Sequence, residues 1–106
     1  MSYPVDVNDL QYDLKSWTEK QFPSRNMRSI LNHLRKEIAE LEEAPDDIME
    51  FADCFMLLFD AASYQGLHMS DIWRAMGEKL EINKARKWGK PNSEGFVEHI
   101  KQSEPL

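Results

Sequence analysis

From Glu50 to Ala62 the chain reads EFADCFMLLFDAA, an almost unbroken apolar run that carries three acids, Glu50, Asp53 and Asp60. The run lacks the strict apolar/polar alternation of a half-buried strand, and it is too long for a fully buried one. Pro45 stands before it and Gly66 after it. Proline suits the first turn of a helix and glycine its left-handed stop, so the run is expected to be a helix from Pro45 to about Gln65. Ile48, Phe51, Phe55, Met56 and Phe59 cover one broad side of it, and Leu57, Leu58, Ala61 and Tyr64 much of the rest. A helix that is apolar all round needs cover all round. A chain of 106 residues has few companions to offer, so a second subunit is the expected cover.

The remaining punctuation places three more helices. Asp6 or Asn8 caps a first one that ends before Pro23, with Leu10, Leu14 and Trp17 on one stripe. Ser24 is the expected cap of a second, which runs to about Ala44 with a stripe of Met27, Ile30, Leu34, Ile38 and Leu41. Ser70, with Asp71 at the positive end of the helix dipole, opens a fourth that runs to about Lys87. Gly89, Lys90, Pro91 and Asn92 end it. With no strand pattern and no internal repeat, the expected fold is an all-α four-helix bundle over residues 1–91. Residues 92–106 form a polar tail, docked or mobile, anchored only by Phe96, Val97 and Ile100.

Composition narrows the function. A formal net charge of −6 opposes nucleic acid and anionic lipid. The single cysteine, Cys54, rules out a disulfide within the chain and reads as a small buried hydrophobe. The first residues lack the basic cluster and apolar stretch of a secretory signal. No uncharged stretch reaches the roughly 20 residues that a membrane helix needs. No membrane association is expected, and the expected location is cytoplasmic, the host cytoplasm if the chain is phage-encoded.

At ~100° per residue, the three acids of the apolar helix share one stripe. The preceding helix adds more acids, for RKEIAELEE places Glu37 and Glu40 at the edge of its apolar face. The link at Ala44 and Pro45 is too short for anything but an antiparallel pair. Glu40 and Glu50 each lie five positions from Pro45, and Glu37 and Asp53 each lie eight. Residues equally far from the turn sit at equal height, so two E-x-x-[ED] pairs face one another and four carboxylates converge. A lone E-x-x-E is usually a solvated pair answered by Lys or Arg. Two pairs mirrored about a turn, one of them on an apolar helix, call for a counter-ion. Oxygen ligands alone favour Mg²⁺ or Mn²⁺ over Zn²⁺, and two or more ions balance four charges better than one. On the fourth helix Lys79, Asn83 and Arg86 recur at i, i+4, i+7 on the core-facing stripe. This pattern is either a phosphate-binding edge or a solubilising helix end.

Together, HLRKEIAELEE, DDIMEFADCFMLLFDAASYQG and IWRAMGEKLEINKARKWGKP resemble the MazG-like all-α nucleotide pyrophosphohydrolases, nearest the branch of dATP/dGTP diphosphohydrolases. The likeness covers about Leu31 to Pro91. It implies hydrolysis of a nucleoside triphosphate between the α- and β-phosphates, giving a monophosphate and pyrophosphate. The family's metal ligands fall on Glu37, Glu40, Glu50 and Asp53, and its phosphate- and sugar-binding side chains on Lys79, Asn83 and Arg86. Analogy assigns Glu37 the orientation or deprotonation of the attacking water. Many members carry an acid where Lys36 stands here, which removes any role for that extra acid. The likeness also implies a dimer or tetramer and a purine substrate, dGTP or dATP, with GTP a further candidate. Trp17 is the candidate base-stacking residue, because similar enzymes recognise the base near the end of the first helix; Trp73 and Trp88 read rather as core. His33 is expected as a hydrogen-bonding neighbour of the acids, and Asp60 as a partner for an arginine or a backbone amide. Relatives acting on pyrimidine deoxynucleotides or phosphoribosyl-ATP, and a non-enzymatic helical assembly module, are the alternatives.

Overall fold

Aspartate and asparagine cap the first three helices, the first as expected and the second and third in places where serine and proline were expected. In the computed structural model, which describes residues 6–101, α1 spans Val7–Gln21, α2 Met27–Glu43, α3 Ile48–Tyr64 and α4 Met69–Ala85. The described residues hold no strand beyond a single bridge between Trp88 and His99, so the chain is all-α. Asp6 caps α1, its Oδ1 accepting from the Asn8 and Asp9 amides at 2.8 and 3.3 Å.

Ser24 does not cap α2. Asn26 does, through a reciprocal box in which Ser29 N–H donates to Asn26 Oδ1 and Asn26 N–H to Ser29 Oγ, both at 2.9 Å. An amide and a hydroxyl three residues apart satisfy two orphan N–H groups at once, which Ser24 alone cannot do. Pro45 lies in the turn and not in α3. The Asp47 carboxylate caps that helix by accepting from Met49 N–H at 2.9 Å. Ser70 lies inside α4, where the His68 carbonyl takes the first helical bonds, from Asp71 and Ile72. The expected stop at Gly66 does form: at φ 75°, it lets Leu67 N–H reach Ala62 O at 2.9 Å and its own N–H reach Ser63 O at 3.0 Å.

Contacts divide the chain between Ile72 and Trp73. In the first unit α3 packs on α2 and α1, around a small core of Phe59, Ala62 and Met69 with Val7, Leu14 and Ile72 against it. The buried Gln11 side chain fastens α1 to the α3–α4 corner. Its Nε2 donates to Leu67 O at 2.7 Å and to Ser63 Oγ at 3.2 Å, and its Oε1 accepts from Met69 N–H at 2.9 Å. The face that α2 buries is centred on Ile30 and Glu37. Ile38, expected on the core stripe, is rotated off that centre and is 43 % exposed. On α3 the apolar surround is only partly covered, and Phe51, Phe55, Met56 and Leu58 are all exposed.

The second unit holds the rest of α4 and the segment after it. Trp88 donates its indole N–H to Asn83 O at 2.8 Å and lies edge-on to His99. Ile100 N–H returns to Lys87 O at 2.8 Å, and Asn92 closes the turn between by bonding Phe96. Residues 102–106 of the expected tail lie outside the described residues. No described helix is long and apolar enough to cross a membrane.

Candidate functional site

The Ala44–Asp47 turn folds α3 back on α2, and the acids on the two facing sides meet. Glu37, Glu40 and Glu50 each offer a carboxylate oxygen within 4.8 Å of the others. Glu37 is buried, and Glu37 Oε2 and Glu50 Oε2 are both sealed without a hydrogen-bond donor. A buried carboxylate oxygen with no donor is costly. Two of them beside a third acid make the oxygen donor set of a hard divalent cation, so these residues fit a metal. Asp53 lies outside the group of three, but its charge acts on both Glu37 and Glu50. His33 Nε2 is 3.1 Å from Glu37 Oε1, and Lys36 Nζ is 3.2 Å from Glu40 Oε1.

Crowding shows in the protonation of the cluster. A hydrogen bond shared with Glu40, then burial, then the Glu40 charge hold the Glu37 carboxyl above its ordinary range. The same bond, with the hydrogen bond and charge of Lys36, holds Glu40 below it. Burial, followed by the charges of Glu40 and Asp53, pushes Glu50 up. Burial, then the surrounding acids, also raises the Cys54 thiol, which stays a small buried neutral group.

A cavity of about 610 Å³ adjoins the acids, within the size range of small-molecule sites. Glu37 and Asp53 line one part of it and Arg25 and Asp60 another, with Trp17 and Phe22 also in its wall. Trp17 is half exposed and meets Phe22 edge-to-face, ring centroids 5.4 Å apart. Asp60, on the same stripe as Asp53, accepts from Arg25 Nε at 3.0 and 3.1 Å and from Thr18 Oγ1 at 3.0 Å. It is thus the partner of an arginine, as its sequence context suggested, and not a member of the acid cluster.

Lys79, Asn83 and Arg86 belong to the second unit. There Arg86 Nη1 donates to Asn83 Oδ1 at 3.1 Å, while Lys79 is exposed. Arg25 was missed in the sequence. Its only signal is that it is a lone arginine in a short interhelical link while α3 carries an internal acid in need of a cation.

The profile of the dATP/dGTP pyrophosphohydrolase family matches residues 10–105 of the chain. A dATP/dGTP diphosphohydrolase of Salmonella phage PMBT28 is 35% identical over 95 residues, 89% of this chain but 31% of the phage protein. The chain thus spans about a third of that relative. A dATP/dGTP diphosphohydrolase of Cyanophage S-2L is 32% identical over 103 residues, 95% of this chain and 94% of the phage protein. Among solved structures, the Cyanophage S-2L MazG-like pyrophosphohydrolase bound to dGDP and three catalytic Mn²⁺ ions per active site superposes with a TM-score of 0.75. It is 33% identical, and the match covers 92% of this chain and 100% of that one.

Proposed function

The chain belongs to the dATP/dGTP pyrophosphohydrolase family, and from that premise we propose that it hydrolyses purine deoxynucleoside triphosphates, dGTP and dATP, to the monophosphate and pyrophosphate. The observation that carries the reading is the pair of sealed, donor-less oxygens on Glu37 and Glu50, on two residues that each bring a carboxylate oxygen within 4.8 Å of one from Glu40, beside a nucleotide-sized cavity.

In this reading Glu37, Glu40, Glu50 and Asp53 hold two or more Mg²⁺ or Mn²⁺ ions. When bound, the ions supply positive charge against the triphosphate and acidify the attacking water. Glu37 orients that water and accepts its proton. His33, bonded to Glu37, fixes the orientation of its carboxylate. The apolar wall of the cavity excludes bulk water, and Trp17 stacks on the base. Lys79 and Arg86 are assigned to the phosphates and Asn83 to the sugar. A homo-oligomer is the working assembly, supported by the exposed apolar side chains of α3. The phage relatives support action in a host cytoplasm.

A panel of nucleoside triphosphates with Mn²⁺ or Mg²⁺, scored for pyrophosphate release, tests this. Turnover of dGTP and dATP is expected. Turnover confined to dCTP or dUTP would overturn the purine assignment, and no turnover of any triphosphate would overturn the enzyme itself. Outer-shell partners of a metal are worth about 10–100-fold in activity, so Glu50→Gln or Asp53→Asn should lose at least that and keep the fold.

A further inference from the structure

We propose that Arg25 reads the purine by donating from its outer amino groups to N7, and in guanine also to O6, which makes it the residue that sets base preference. The inference rests on the reading that the cavity takes a purine nucleotide. Asp53 and Asp60 are both on α3, seven residues apart, a separation of roughly 10 Å at 1.5 Å per residue. That is about the length of a nucleoside. With the triphosphate at the carboxylates, the base arrives at the Arg25–Asp60 end of the same cavity.

The state of Arg25 suits that task. Its side chain is 11% exposed and that of Asp60 is 6% exposed. Only Nε is engaged, by both Asp60 oxygens. The guanidinium carbon lies 5.7 Å from the centroid of the Tyr64 ring. Two neighbours therefore fix the guanidinium from different sides. Among the described residues, Nη1 and Nη2 have no hydrogen-bond partner, although Arg25 lines the cavity. Asp60 is itself held by Thr18, so the fork is set before any ligand arrives. A planar guanidinium donating to N7 and O6 is the geometry by which arginine distinguishes guanine. Adenine keeps the N7 acceptor but presents an amino group in place of O6, and pyrimidines have no N7 at all. The arrangement thus ranks guanine above adenine and both above pyrimidines.

The experiment removes the acceptor, not the protein group. Wild-type enzyme with Mn²⁺ is assayed on dGTP and on 7-deaza-dGTP, which carries a carbon at that position. A fall of roughly tenfold or more in kcat/KM is expected for the analogue. In Arg25→Lys, which retains a charge for Asp60 but lacks the fork, dGTP should lose efficiency and the dGTP to 7-deaza-dGTP ratio should shrink toward one. Equal efficiency on the two substrates in the wild type, or an unchanged ratio in Arg25→Lys, would overturn the proposal. If the lysine variant does not fold, a crystal structure of the wild type with dGDP and Mn²⁺ decides. Nη1 or Nη2 within about 3.2 Å of N7 supports the assignment, and a base turned away from Arg25 overturns it. Absence of any dGTP turnover would instead sink the hydrolase reading on which the proposal rests.

Discussion

At Glu50 burial and the neighbouring carboxylates of Glu40, Asp53, Asp47 and Glu37 all oppose the negative charge. Its folded pKa is therefore raised above the ordinary 4.5, and the folded chain holds its proton more tightly than the unfolded chain does. Stability tied to that proton is complete below 4.5 and falls as pH climbs through the raised value. Glu50→Gln removes the loss. In chelator, the variant should melt above the wild type at neutral pH, and the two curves should converge below the carboxylate range. Added Mn²⁺ should reverse the order, because ligand binding stabilises only the chain that can bind. A wild type that melts higher than Glu50→Gln at neutral pH in chelator would contradict this account of the cluster.

Among the helices, the joint between α1 and the α3–α4 corner depends on one amide. Gln11→Leu keeps the volume but strands Met69 N–H and the Leu67 carbonyl, both partners of Gln11. Each buried orphan costs about 1–3 kcal/mol, so a loss of at least that size in urea-derived stability is expected, with dGTP turnover per folded molecule little changed. The order and type of the helices were legible in the sequence because apolar period and Gly/Pro punctuation are local signals. Their starts were less so. Ser24, Pro45 and Ser70 carry the right chemistry for a helix start, but Asn26, Asp47 and the His68 carbonyl win through geometry that depends on the neighbouring turn. Counting from Pro45 found the facing acids because distance from a turn fixes height. It does not fix rotation, and Asp53 accordingly falls outside the group formed by Glu37, Glu40 and Glu50. Arg25 lies in a link with no period to read, and only the folded chain brings it to Asp60.

For the whole molecule, the apolar surface of α3 sets the expectation. Phe55 is 50% exposed and Ile48 78%, and side chains of this size gain roughly 1.5–3 kcal/mol each when buried. Sedimentation should find a dimer or tetramer, and Phe55→Glu should yield smaller species; a monodisperse wild-type monomer at micromolar concentration would refute this. The same surface has a counterpart indoors, since no large side chain among the described residues is fully buried. A solitary copy has little interior to hold it upright, so in the proposed oligomer dilution should act as a mild denaturant. Specific activity plotted against enzyme concentration should therefore bend downward once most copies have parted company.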